Sequence, residues 1–408
     1  MDTDPRQRDD GLGWVSRALF PDERLRLRVT GGRSARAAEP DPTALRFAVV
    51  PTVERARFLL PLGSSRVAAA AVLAYNALRP PKVRASRAAT GVIARLGLLE
   101  AYGMPVLTVH PPAGVAATEV LLTAHLAALL ERPKLHAAIG VRPPDPHHKP
   151  TLQLFDERGV PVGYAKVGWN DATRAMVRTE ARALQELPAP SGGFPRVPRL
   201  LLATEWQDRQ VAIIEPMPPG VRRLARADEP RLSAMRAVAA STGITVQEVR
   251  ASSYLARLRD RAQGADPRIS VAIDAVAARD GSVRVEFGRW HGDWVPWNLA
   301  QHRDELFAWD WENTADDVPV GFDLAHQAFQ TALSLRGLPA AGSAQAMTAA
   351  LDRYGAELGL DDDRRRFVAD AYLIELWLRT REIADGGAGW NPKLHPALLD
   401  VLAERLGH

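Results

Sequence analysis

The chain has no cysteine among its 408 residues, which excludes disulfide bonds and thiolate metal centres. It has no long apolar run either. The longest, VAAAAVLAYNAL at 67–78, is too short and too alanine-rich to span a bilayer, so no membrane partner is expected. The start, MDTDPRQRDD, is charged and acidic where a signal peptide would be basic and then apolar, and a cytoplasmic location is the expectation. Lysine is scarce beside arginine. Basic and acidic residues are interspersed, with a formal net charge of only +4, and no basic cluster interleaves with aromatics, so no nucleic-acid partner is expected. What is present, 46% hydrophobic residues over this length, can bury more than one core.

Against that background one segment stands out. HGDWVPWN at 291–298 places Asp293 five positions before Asn298, and FAWDWEN at 307–313 carries a second aspartate, Asp310, at the end of an apolar strand. Residues 283–290 read as a strand, and LAQHRDELFAWD at 299–310 reads as a hairpin with a polar tip, so Asp310 sits where a strand leaves its sheet. Phosphoryl transfer asks a protein mainly to orient the attacking hydroxyl and to neutralise phosphate charge. One carboxylate, Asp293, can take the hydroxyl proton. An amide oxygen from Asn298 and a carboxylate from Asp310 are hard ligands suited to Mg2+.

This pattern resembles the protein-kinase-like superfamily, and within it the aminoglycoside phosphotransferase and small-molecule kinase branch, which has HGD where protein kinases have HRD. The resemblance implies an α+β fold of two lobes, an antiparallel-sheet small lobe and a mainly helical large lobe. It implies Asp293 as catalytic base, Asn298 and Asp310 as metal ligands, His291 as a support of the catalytic loop, and ATP with Mg2+ as cofactors. Asp323, opening DLAHQAF, either caps a helix or, by the resemblance, braces the catalytic loop. The partners implied are a nucleoside triphosphate and a small-molecule acceptor hydroxyl on a sugar, aminosugar, aminoglycoside or amino-alcohol.

Upstream, VGYAKVG at 162–168 reads as a strand in which Val162, Tyr164 and Lys166 share one face and Ala165 and Val167 the other. A lysine between apolar faces needs a partner. Residues 171–187 read as a helix with an apolar stripe of Met176, Val177, Ala181, Leu184 and Leu187, and at about 100° per residue Glu180 falls within that stripe. Pairing Lys166 with Glu180 satisfies both charges, and the resemblance places such a pair against the nucleotide phosphates. EPMPPG at 215–220 then reads as the connector between lobes, where Met217 is the candidate backbone donor to the nucleotide base because proline has no N–H.

Between predicted strands at 136–142 and 151–156 lies PPDPHHKP, with four prolines and no glycine. Phosphate contacts there would have to come from His147, His148 or Lys149. That loop and the unfamiliar front region motivate an alternative, a catalytically silent nucleotide-binding scaffold. The expected division is an N-terminal α/β cap-like domain at 1–132, a small lobe at 133–216 and a large lobe at 217–408. Amphipathic helices are expected at 345–358, 364–384 and 396–406, with Asp370 and Glu375 as exposed carboxylates that either form a solvated face, the simpler reading, or meet an acceptor. Five of the ten tryptophans fall from Trp290 to Trp311. Trp294 reads as packing, whereas Trp297 could pack or stack on an acceptor ring.

Overall fold

The computed structural model describes residues 4–31, 41, 43–73, 81–99, 103–143, 148–189, 193–224, 229–387 and 394–407. The chain is an α+β protein built around one large antiparallel sheet and many helices. It divides into two compact units, one of residues 1–178 with 199–219 and one of 179–198 with 220–408.

In the first unit the strands are Arg26–Thr30 (β1), Leu45–Val50 (β2), Phe58–Pro61 (β3), Val106–His110 (β4), His136–Gly140 (β5), Thr151–Phe155 (β6), Pro161–Gly168 (β7), Leu200–Trp206 (β8) and Arg209–Ile214 (β9). They form one nine-stranded sheet in the order β1-β4-β2-β3-β5-β6-β7-β9-β8. Alternation along each strand sorts the side chains into two cores. Val49, Leu59, Ile139, Leu152, Leu154, Ala165, Val167, Val211 and Ile213 join a core that includes Leu12, Trp14, Val15 and Leu126. Those last four come from helices Gly11–Leu19 (α1) and Leu122–Leu129 (α5). The other face packs Ala48, Leu60, Ala138 and Phe155 against Val67, Ala68 and Ala71. Helix Ser65–Leu73 (α2) supplies the latter three, followed by Pro81–Arg95 (α3). The alanines of α2 let it lie close to the sheet. The pairing of β3 with β5 carries the sheet from residues before 132 into those after it.

Helix α4 is the short Ala117–Val120. Helix α6, Asp171–Glu186, opens on Asn170, whose Oδ1 accepts from Thr173 N at 2.9 Å while Thr173 Oγ1 accepts from Trp169 N at 3.0 Å. These bonds satisfy N–H groups that a helix start leaves without intrahelical partners. The break between units falls inside α6, after Arg178.

In the second unit, helices Leu232–Ala239 (α7), Ser253–Arg261 (α8), Pro267–Asp280 (α9), Phe322–Gln330 (α10), Ala340–Tyr354 (α11), Asp362–Asp385 (α12) and Leu394–Leu406 (α13) dominate. Two small sheets run through them. Arg222–Arg223 (β10), Leu299–His302 (β13) and Glu305–Ala308 (β14) make one, and Thr245–Glu248 (β11), Arg284–Trp290 (β12) and Ala315–Pro319 (β15) make the other. Every residue of α12 from Phe367 to Leu378 is buried, as expected of a helix surrounded by others.

This burial corrects the reading of Asp370 and Glu375 as exposed positions. Asp370 is 1% exposed and accepts from Arg279 at 2.7 Å and Arg405 at 2.5 Å. Glu375 accepts from Arg261 Nη1 at 2.8 and 2.9 Å. Both carboxylates tie α12 to its neighbours, and neither faces solvent to receive an acceptor.

Candidate active site

Strand β12 delivers the chain to His291, and the next seven residues have no ladder to hold them. Hydrogen bonds from other elements do so. Asp323, in the first turn of α10, accepts from His291 N at 2.9 Å through Oδ2 and from Gly292 N at 3.2 Å through Oδ1. Asp323 is therefore a brace of the loop. The residue before α10 that starts the helix is Gly321, so Asp323 is not the helix cap. On the C-terminal side of the same glycine, Gly292 O accepts from Arg379 Nη1 at 2.6 Å, and that guanidinium lies 5.3 Å from the centre of the Trp290 ring.

Gly292 has a φ of +80°, and a Cβ there would come within 2.0 Å of Asn313 O. Any side chain at this position would both strain the backbone and collide with it. The buried His291 ring closes the loop in two directions. Its Nδ1 accepts from Asp293 N at 3.1 Å and its Nε2 donates to Trp309 O at 3.0 Å, an arrangement that fixes the tautomer with the proton on Nε2. Burial pushes the ring's pKa down to about 4, against the pull of Asp293 and Asp310, so the imidazole is neutral. Trp311, tilted at 48° with its ring centre 4.3 Å from that of His291, and Trp294, edge-on at 5.8 Å, wall it in.

Asp293 is the open point of this loop, with 29% of its side chain exposed. Its Oδ2 accepts from Asn298 Nδ2 at 2.8 Å, and its Oδ1 accepts from His326 Nε2 at 3.0 Å. Desolvation raises its pKa, but the His326 bond and the positive field of Arg379 outweigh that, and the carboxyl titrates below its ordinary value. It is ionised at neutral pH.

Asn298 closes a single turn of 3-10 helix, Pro296–Asn298. Its amide nitrogen is committed twice, to Asp293 Oδ2 and to Asp293 O at 3.1 Å, which turns the amide oxygen away from the carboxylate. The hairpin of β13 and β14 pairs Leu299 with Ala308, and Trp309 N donates to Asn298 O at 3.2 Å. Residues 298 and 310 are therefore neighbours through the ladder. Asp310 follows β14 with a φ of +65°, uncommon outside glycine and tolerated best by asparagine and aspartate. Asp293, Asn298 and Asp310, twelve or fewer residues apart at each step of the chain, thus share one corner of the second unit.

A divalent cation at Asn298 and Asp310 is a reasonable fit to this donor set. Both supply hard oxygen, and the amide oxygen is the end left over once its nitrogen is spent on Asp293. Among the described residues no group of three or more histidine, aspartate and glutamate side chains could cage a metal, so such an ion would complete its shell from phosphate oxygens and water.

In the first unit Lys166 sits on β7, opposite Ala212 of β9 and Thr151 of β6, on the face away from Ala165 and Val167. It is 7% exposed. Glu180, 0% exposed, lies on the part of α6 that belongs to the second unit. Both charges are buried and neither is without an interaction partner. Met217 follows β9 in the segment that closes the first unit. His147 lies outside the described residues. Lys149 points its Nζ at Met176 Sδ, 3.5 Å away on α6, and His148 O accepts from Trp169 Nε1 at 3.0 Å. Trp294 is fully buried packing, whereas Trp297, between Asp293 and Asn298 in sequence, is 42% exposed.

No protein-family model and no curated protein matches the chain. Solved structures do. The chain is similar to small-molecule kinases. These include aminoglycoside phosphotransferase APH(4)-Ia, 14% identical over 72% of this chain and 99% of that one with a TM-score of 0.46. Amicoumacin kinase hAmiN, solved in complex with AMP-PNP, Ca2+ and Ami, is 16% identical over 64% of this chain and 86% of that one with a TM-score of 0.36. A glucosamine kinase is 16% identical over 69% and 81% with a TM-score of 0.30. The chemistry of the site rests on its own geometry.

One contributor to that geometry has no counterpart in the sequence reading. His326 is 1% exposed and touches the Asp293 carboxylate directly. The signal that could have found it is a titratable group on the apolar stripe of α10, with Phe322, Ala325 and Phe329 at helical spacing around it.

Proposed function

We propose that the chain is an ATP-dependent small-molecule kinase that transfers a phosphoryl group to a hydroxyl of a sugar, aminosugar, aminoglycoside or amino-alcohol. The observation that carries the reading is the engagement of Asp293. Both carboxylate oxygens are held by neutral donors, Asn298 on one and His326 on the other, and each oxygen keeps a lone pair for an incoming hydroxyl. Such a carboxylate is aimed with little freedom.

In this mechanism Asp293 accepts a hydrogen bond from the acceptor hydroxyl and points the oxygen at the terminal phosphorus of the nucleotide. As the new O–P bond forms and the bond to the ADP oxygen breaks, the hydroxyl proton passes to Asp293. The two donors on the carboxylate lower its basicity, which suits a loose transition state in which proton transfer comes late and orientation dominates. Asn298 and Asp310 are the residues that would hold Mg2+, which would supply charge neutralisation on the phosphates. Lys166 and Glu180 are assigned to nucleotide binding, with the lysine as the cation that grips the phosphates. Met217 offers its backbone to the base. The region 1–132 acts as a cap-like extension, and the location is cytoplasmic.

The test is acceptor-dependent ADP release across a panel of sugars, aminoglycosides and amino-alcohols. Release with at least one acceptor supports the reading, while nucleotide binding without release on any of them would favour the silent scaffold.

A further inference from the structure

We propose that His326, locked by Tyr372, is a positioning residue that fixes the carboxylate plane of Asp293. The role rests on the phosphotransfer reading above, and the lock rests on geometry.

His326 Nε2 lies 3.0 Å from Asp293 Oδ1, and its Nδ1 lies 3.0 Å from the Tyr372 hydroxyl. The three groups come from three elements, the loop after β12, α10 and α12, and all but Asp293 are essentially sealed from solvent, with His326 at 1% and Tyr372 at 0% exposure. The donor directions follow from chemistry. An ionised carboxylate only accepts, so Nε2 carries the ring proton and donates it. A neutral ring then leaves Nδ1 as an acceptor, so the phenol must donate. Tyr372 can do so because burial keeps its proton on. Burial likewise disfavours the imidazolium form of His326 despite the neighbouring carboxylate.

The ring itself cannot swing. Trp290 meets it edge-on at 6.1 Å, and Tyr372 meets it at 5.9 Å and 79°. Phe322 and Phe329 pack in turn on Tyr372, each at 5.9 Å. One oxygen of Asp293 is thus fixed by a side chain of the loop itself, Asn298, and the other by a ring anchored in the helical core. Two donors, one per oxygen, define the rotation of a carboxylate about its Cβ–Cγ bond. Asn298 alone would leave that rotation as free as the loop carrying both residues.

His326→Leu keeps an apolar stripe apolar and removes only the donor, and His326→Gln restores an N–H near the Nε2 position. Misplacing a reacting group by about 1 Å costs roughly 10²-fold in rate. The expected result is therefore a kcat loss of about 10²-fold in His326→Leu, an unchanged KM for ATP, and recovery to within about 10-fold in His326→Gln. Tyr372→Phe should lower kcat less, by about 5-fold, because the tautomer is then biased by Asp293 alone. Ring 15N shifts of His326 should report the neutral Nε2–H tautomer at neutral pH, with a second tautomer populated in Tyr372→Phe. An active wild type whose His326→Leu variant keeps its kcat, or a His326 ring protonated on Nδ1, overturns the positioning role alone. A wild type without turnover on any acceptor overturns the phosphotransfer reading and this role with it.

Discussion

The two units hold their polar groups by different means. In the first, Lys166 is placed by the sheet. Strand alternation sends Ala165 and Val167 into one core and the lysine to the opposite face, and the ladder on both sides sets its height. In the second, residues 291–298 follow the last ladder position of β12, and single hydrogen bonds from Asp323, Arg379, Trp309 and His326 define them. A sheet position is the average of many weak apolar contacts, and a loop position is the sum of a few strong ones. Substitutions in the apolar core of the first unit should therefore act on stability and leave chemistry intact, while single polar substitutions in the loop of the second should act on turnover.

The largest effect sharpens that contrast. Asp293→Ala removes the group that aims the hydroxyl, so steady-state kinetics should show kcat lower by about 10³-fold, while the nucleotide dissociation constant measured by calorimetry stays within about 3-fold. An equally steep loss of nucleotide affinity would mean that Asp293 serves binding, and the division between the units would blur.

Next in size is the converse experiment. Ile213 is fully buried in the sheet core, and Ile213→Ala should cost about 3 kcal/mol in denaturant unfolding by transfer and cavity terms, with kcat per folded molecule unchanged. A kcat loss in this variant would show that chemistry depends on sheet packing as much as on the loop.

Asp323→Ala leaves the N–H groups of His291 and Gly292 without their acceptor, and each unsatisfied buried donor costs about 1–3 kcal/mol. The carboxylate is itself costly to bury, as its pKa raised to about 7 by burial shows, which offsets part of the loss. The net destabilisation should be about 2 kcal/mol, with a fall in kcat that Ile213→Ala does not show.

The smallest effect is a slope. Burial lowers His291 from 6.5 to about 4, so between those values the unfolded chain binds a proton that the folded chain refuses. Its contribution is complete above about pH 6.5 and is lost as pH falls toward 4, at up to about 1.4 kcal/mol per pH unit. Asp323 runs the other way, since its pKa is raised from 3.8 to about 7 and its contribution is complete at low pH and lost as pH rises through that window. Comparing wild type with His291→Gln removes the His291 term, so the stability gap between them should narrow on acidification from pH 7 to 5. A constant gap would mean that the folded protein accommodates a charged His291.

Much of this architecture was legible in the chain. Period-two alternation located β5, β6, β7 and β9 within a residue or two, and helical periodicity located α6, α12 and α13. The hairpin bearing Asp310 followed from its polar tip. What escaped was set by distant partners. Nothing local says that β3 pairs with β5 and joins residues 1–132 to the strands that follow. Helix α3 carries too few apolar residues to announce itself. Asp370 and Glu375 sit on a helix buried all round, where the polar residues that suggest an exposed face are matched by arginines from other helices.

The site shows the same division. HGD and the spacing to Asn298 and Asp310 are local and visible. His326, 33 residues further on, reaches Asp293 only through the fold, and Tyr372, 79 residues on, reaches His326 the same way. Glu180 stands out in the sequence as a titratable group on an apolar stripe, and His326 in α10 is placed the same way. A histidine draws less notice than a glutamate there because its neutral form is cheap to bury.

The central claim is that Asp293 aims an acceptor hydroxyl beside a nucleotide-bound metal. Its most direct test is ADP release measured with and without acceptor and with and without Mg2+, in wild type and in Asp293→Ala. The account predicts release that requires both an acceptor and Mg2+ in the wild type and is lost in the variant. Release that the variant retains would contradict it.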